Sequence, residues 1–444
     1  MHTTPAASAQ GTPRGTPRSA TRSRILGIDL ARGLALFGMM ATHILPRMDD
    51  AGNLTAVALF QGRASALFAV LAGFSIILST RGALAHPGVR GWAAAAIGLV
   101  VRGILIALVG FALGELPSGI AVILVNYGAL FLIAPLFLRF PTWLLGATAW
   151  VWFLVTPQLS HLVRSLPVFA DADLFVPAFS NALVPDTWIG LLLTGYYPLL
   201  QWVGYILLGM WLARIDWSDL NRRVALLLAG TAATTLALAA SSLLMNVRGR
   251  WELESLYGEA TVTDVPTYVD RVIMLGAYGV TPADSAWWLV TAGPHSGTSF
   301  DLVQTSGVAM AVIALCLLVG PLLDRGPTLL HAWLSRPGST PLSMYSLHIC
   351  VLAIAAVSPT MPTLPGVGWH LQWFAVNLAL VILAALLWTG LVSRRGPLET
   401  GVSVIVRAAL RQVLGPVVGE ASGPVVGPGA THVTGPRTPP GPSS

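Results

Sequence analysis

The sequence predicts an all-α, polytopic integral membrane helix bundle of about ten transmembrane helices. Three observations lead there. Only 10% of the 444 residues are charged and 55% are hydrophobic, with a mean hydropathy of +0.72, whereas soluble domains carry about 25% charged residues. The apolar runs reach the roughly 20 residues that cross a bilayer. Laid out as alternating spans, those runs sort the loop arginines to one side.

Taken in order, residues 1–23 are rich in Ser, Thr, Pro and Gly with Arg14, Arg18 and Arg22, and read as a disordered basic arm. The apolar run that starts at Ile25 is too long for a signal-peptide core and lacks a cleavage site, so it is expected to remain as a helix. Residues 24–410 form the membrane domain. Its ten spans fall near 25–45, 55–79, 91–113, 117–138, 142–157, 188–212, 223–245, 299–323, 340–357 and 370–393. Arg81, Arg90, Arg139, Arg214, Arg222, Arg223, Arg325, Arg336, Arg394 and Arg395 then lie on the N-terminal side, against Arg47, Arg164, Arg248, Arg250 and Arg271 opposite. The positive-inside rule makes both termini cytoplasmic.

Two outer loops are long. Residues 158–187 carry His161, Asp171, Asp173 and Asp186. Residues 246–298 carry Trp251, Glu252, Glu254, Tyr257, Asp264, Trp287 and Trp288. Within the second, 271–292 is apolar but broken by Pro282 and Asp284, which leaves a span, a re-entrant segment or an interfacial helix open. Its paired tryptophans fit a headgroup-level anchor. Residues 411–444 read as a disordered Gly/Pro-rich cytoplasmic tail.

Composition also excludes functions. All 25 basic residues are arginine and the net charge is +6. They are spread over loops rather than gathered in a stripe, which argues against nucleic acid and for topology bias and contact with the lipid bilayer. Cys316 and Cys350 sit in apolar segments and read as small buried hydrophobes. No Cys/His cluster has zinc spacing and no HExxH or Walker A pattern occurs, so no metal is expected.

The chemistry concentrates in the first three spans, where Arg32, Arg63 and Arg102 lie inside apolar stretches. A guanidinium in hydrocarbon persists where it lines a cavity, meets a partner or holds an anion. On a helix Asp29 and Arg32 meet as an i,i+3 pair. His43 lies eleven residues beyond Arg32, about 20° off the same line and roughly 16 Å along the axis. Arg63 is expected at the depth of His43, and His43, Arg63 and Arg32 are expected to border one polar cavity. Three arginines facing one buried acid ask for an anionic ligand. A neutral imidazole above them can take a proton from a hydroxyl or amine.

These residues carry a family resemblance. The stretch Arg24-Ile-Leu-Gly-Ile-Asp29-Leu-Ala-Arg32-Gly33 running on to His43 resembles the opening of transmembrane acyltransferases, and its ten residues between Arg32 and His43 match the spacing in family-3 membrane acyltransferases. Gly62-Arg63-Ala-Ser65-Ala-Leu67-Phe68 resembles the heparan-alpha-glucosaminide N-acetyltransferase family and its bacterial inner-membrane relatives. Pro294-His295-Ser296-Gly297-Thr298 with Asp301, Gly338 to His348 with Tyr345, and Arg395-Gly396-Pro397-Leu398-Glu399 resemble those bacterial relatives. The resemblance covers about 24–410. It implies a multi-pass protein of a bacterial-type plasma (inner) membrane that takes acyl-CoA, acetyl-CoA first, from the cytoplasmic face and serves an envelope-side acceptor. Arg32 would hold geometry or cofactor and His43 would be the base. One departure stands out. Heparan-type enzymes place a catalytic histidine in the loop after the first span, and Pro46–Asn53 here has none, so His43 follows the family-3 pattern.

The expectation is therefore a membrane acyltransferase in which His43, Arg32 and Asp29 are catalytic. Arg63, Arg102, Ser65 and Asn126 bind the cofactor. His295, Ser296 and Asp301 bind the acceptor, with helix capping as the bland reading of the Ser296–Asp301 run. For Tyr345 and His348, three apart on one span, a hydrogen bond between packed helices is the favoured reading. Glu399 reads as a solvated boundary residue. The alternative function is a transporter or flippase of an anionic small molecule, with His43 as a proton relay. The oligomeric state is left open.

Overall fold

The computed structural model describes residues 25–169, 176–257, 267–358 and 368–414. The expectations for the arm 1–23, Arg24, Asp171, Asp173, Asp264 and the tail beyond 414 lie outside those residues. The described chain is mainly helical: α1 Leu26–Ile44, α2 Arg63–Leu84, α3 Gly88–Gly114, α4 Leu124–Ile133, α5 Thr142–Arg164, α6 Pro185–Ile189, α7 Leu199–Leu212, α8 Leu220–Leu244, α9 Arg250–Leu256, α10 Tyr268–Leu275, α11 Ser299–Leu323, α12 Leu329–Ser339, α13 Pro341–Val357, α14 Trp369–Leu391 and α15 Pro397–Leu414. Each of the ten predicted segments contains helix. Five helical segments are long and apolar enough to cross a membrane, or up to seven if each bent pair counts once, so the figure of ten remains a sequence expectation.

The first helix is the centre of the bundle. It packs on α2, α11 and α12, while α2 leans on α7, α8 on α11, and α3 on α4 and α15. Small residues set those distances. A side chain at Gly33 would strike the Leu334 carbonyl of α12, and one at Gly338 would strike the Asp29 carbonyl of α1. The two backbones therefore touch, as small-residue interfaces in membranes allow.

Several assignments change. Residues 324–339, read as a cytoplasmic loop, contain α12, which bends 84° into α13. The span predicted at 188–212 is broken. One residue past α6 the backbone makes a π-turn, Gly190–Thr194, and α7 leaves at 51°. Residues 271–292 do not span: α10 ends at Leu275 and only a 3-10 turn, Ala286–Val290, follows. Trp288 is no headgroup anchor either. It is fully buried with Met245, Leu253 and Val269, and its indole donates to Asp284 at 3.0 Å. Glu399 is not a solvated boundary. Its carboxylate accepts from the Leu342 and Ser343 amides at 2.8 and 3.2 Å, capping the start of α13, whose first-turn amides have no partner within the helix. Residues 411–414, placed in the tail by composition, complete α15.

Candidate active site

The last turn of α1 opens into a cavity of about 400 Å³. His43 and Thr42 come from α1, Ala64 and Ser65 from α2, and Gln61 and Gly62 from the turn before it. That turn is possible because Gly62 adopts φ +73°, a left-handed conformation that suits glycine, and lies against the His295 backbone. Tyr196 and Tyr197 enter from the break between α6 and α7. Leu275, Gly276, Ala277 and Tyr278 roof the space from the segment after α10, and Arg47 and His295 complete the wall. The Gln61 side-chain amide donates to the Leu275 carbonyl and fastens that roof to the start of α2.

His43 is held from behind. Its Nδ1 lies 2.9 Å from Nε2 of His348, the two rings lie within 5° of parallel, and His348 Nδ1 lies 3.2 Å from Oδ1 of Asn377. Opposite, His295 packs against Tyr196 with ring centroids 4.3 Å apart, and Tyr196 meets Tyr278 at 4.9 Å and shares the cavity wall with Arg47. Burial, then the Arg47 guanidinium, pushes the His295 imidazole down to about 3, so it is neutral at physiological pH.

Other predicted site residues lie elsewhere. Arg32 donates to Asp29 at 3.0 Å and to Ser75 at 2.7 Å, a bridge from α1 to α2. Arg63 donates to Gln304 at 3.1 Å and to the Ala58 and Leu59 carbonyls. Neither guanidinium is among the described residues lining the cavity. The expectation of one cavity bordered by His43, Arg63 and Arg32 therefore holds for His43 alone, because both arginines are drawn into neighbouring helices and turns. Arg102 lies apart, beside Val406 and Leu410 of α15. Asn126 donates to the Tyr197 carbonyl at 2.7 Å and so supports the cavity floor from behind. Ser296 is buried 3.3 Å from Thr298. Thr298 caps α11 by accepting from the Asp301 amide at 3.1 Å, and Asp301 accepts from Gly297 and Gln304. The capping expectation describes Thr298 and Asp301, and His295 is the member of that run which reaches the cavity.

Sequence reading missed Arg47, Gln61, Tyr196, Tyr197 and Tyr278. The Gly195-Tyr-Tyr-Pro198 interruption of an apolar segment was the available signal, since broken membrane helices line cavities.

A second cavity, of about 670 Å³, lies at the other end of α1, lined by Ile25–Gly27, Arg81, Arg214, Asp216, Trp217, Arg223 and Asp324 among others. The two cavities thus sit at opposite ends of the same helix.

No curated protein matches the sequence. The family model for heparan-alpha-glucosaminide N-acetyltransferase, catalytic, matches residues 24–248, from the start of α1 to the end of α8. That stretch is half of the chain and supplies most of the cavity wall, and the chain belongs to this family.

Proposed function

We propose that the protein is a membrane-embedded acyltransferase that moves an acyl group, acetyl in the first instance, from cytoplasmic acyl-CoA to a hydroxyl or amine of an envelope-side acceptor such as a glycan. The observation that carries this reading is the cavity at the far end of α1, where His43 and His295 share a wall with tyrosines and Arg47. A space of this size accepts a sugar or a similar small polar group. His43 is the general base. His295, neutral beside the tyrosines, orients the acceptor, and the tyrosine faces suit sugar rings. Arg32, clamped between Asp29 and Ser75, holds α1 against α2 and keeps the imidazole in register. Ser65, expected from sequence to bind the cofactor, lines this acceptor cavity instead. The phosphates of the donor are better served by Arg81, Arg214 and Arg223 in the opposite cavity than by Arg63 or Arg102. Both termini are cytoplasmic in this reading, and the membrane is a bacterial-type plasma membrane.

Purified protein in nanodiscs, given labelled acetyl-CoA and envelope extract, is expected to label an acceptor. His43→Ala is expected to lower kcat by two orders of magnitude or more, roughly the contribution of a general base. Labelling unchanged in His43→Ala would refute the assignment.

The 51° break at α6–α7 and the 84° bend at α12–α13 favour a second reading, since discontinuous helices are common in transporters. Uptake of an anionic solute into proteoliposomes without thioester cleavage would select it.

A further inference from the structure

We infer that Asn377 and His348 are positioning residues for His43, fixing it as the tautomer whose Nε2 is bare. This rests on the acyl-transfer reading above, in which that nitrogen takes a proton from the acceptor.

The argument starts at the amide. Asn377 Nδ2 lies 3.5 Å from the His348 carbonyl oxygen. Turned the other way, the amide would set one carbonyl oxygen against another, so Oδ1 must be the atom 3.2 Å from His348 Nδ1. A carbonyl oxygen only accepts, so the proton of His348 is on Nδ1. A neutral imidazole then has a bare Nε2, which lies 2.9 Å from His43 Nδ1. It too can only accept. His43 therefore carries its proton on Nδ1 and donates it, and its own Nε2 keeps the lone pair on a residue that lines the cavity. The second ring nitrogen of a histidine is set by the hydrogen bond of the first.

Packing makes the choice firm. His348 and Asn377 are both 0% exposed, so no water competes for their hydrogen bonds. One residue comes from each of α1, α13 and α14, and the two rings lie within 5° of parallel with centroids 5.2 Å apart, as an in-plane N–H to N bond requires. A base whose far side is oriented by a chain of buried partners is the arrangement nucleophile activation requires.

The step balances without a further reactant. As the acceptor oxygen or nitrogen bonds to the thioester carbonyl carbon, its proton passes to His43 Nε2. The carbon–sulfur bond breaks and the thiolate takes that proton from Nε2, giving the acylated acceptor and free thiol. The Nδ1–H bond to His348 persists throughout, and His348 moves no proton.

Nitrogen-15 NMR of the histidine-labelled protein in nanodiscs tests this, with His43→Gln to assign the His43 signals. The wild type is expected to show His43 protonated at Nδ1 and bare at Nε2. In His348→Leu that preference is lost, and kcat for acyl transfer falls on the order of a hundredfold with little change in KM for acetyl-CoA. His348→Gln places an acceptor oxygen at the same reach and is expected to restore both the tautomer and most of the rate. A wild-type His43 protonated at Nε2 overturns the inference, and so does an unchanged tautomer in a folded His348→Leu. The wild-type spectrum decides the matter even if His348→Leu does not fold. A spectrum as expected, with acyl transfer that ignores His43, removes the enzymatic reading and leaves the tautomer assignment in place.

Discussion

His295 is the one non-glycine among the described residues with a positive φ, at 52°. Such backbone is tolerated where the surroundings enforce it, and it collects at functional sites. Here the Pro294–Gly297 turn aims the ring at the tyrosines while Gly297 feeds its amide to Asp301. The same burial has a pH consequence. The folded protein resists protonating His295 down to about 3, whereas an unfolded histidine titrates near 6.5. Between those values the unfolded chain holds the extra proton, so stability falls as pH drops from 6.5 towards 3 and is flat above 6.5 for this group. Thermal melting across pH 4–7 is expected to show a shallower acid decline in His295→Gln than in the wild type; parallel curves would contradict the buried neutral imidazole. At this scale the sequence was partly legible. His43, Ser65 and His295 were readable because a polar group in an apolar run stands out. Arg47, Gln61 and Tyr278 were not, since they reach the cavity only through loops far apart in the chain. Arg63 and Arg102 misled because nothing in sequence shows that Gln304 and two carbonyls are waiting for one, or that α15 covers the other.

Among elements, the decisive contact is α1 on α12. Gly338 faces the Asp29 carbonyl directly, so Gly338→Leu must push the helices apart. Overpacking of this kind costs about 1–3 kcal/mol, read as a fall of several degrees in melting temperature, and acyl transfer should fall further than stability because Asp29 and Arg32 move with it. Glu399 ties α15 to α13 through two amides and the Ser343 hydroxyl. Glu399→Ala leaves those donors unpaired, an expected loss of about 1–3 kcal/mol, measurable as earlier proteolysis of residues 397–414. Apolar length marked the long helices, whereas α9, α12 and α15 lie outside every predicted span. What it concealed were the breaks. Helix α12 was hidden by its Arg336-Pro-Gly sequence, which has the composition of a loop, and the capping role of Glu399 was hidden because its partners lie fifty-odd residues earlier.

For the whole molecule, the alternation of loops assigns sides that chemistry can check. With Cys316 and Cys350 replaced by alanine, a cysteine at Gly52 is expected to react with a membrane-impermeant maleimide on intact cells, and one at Ser218 only after lysis. The reverse pattern would invert the topology. The class of fold was legible because bulk hydropathy is a property of the entire chain, whereas the number of crossings depends on bends that a few residues impose.

Among the described residues, none lines both the Gly27 cavity and the His43 cavity. On α1 the nearest lining residues, Gly27 and Met39, are twelve residues apart, about 18 Å at the usual rise, and the Arg32–Ser75 clasp lies along that stretch. At rest the protein is therefore expected to act as a plug. Vesicles containing it should hold a proton gradient as well as empty ones, and any passage from one mouth to the other must first unfasten that clasp.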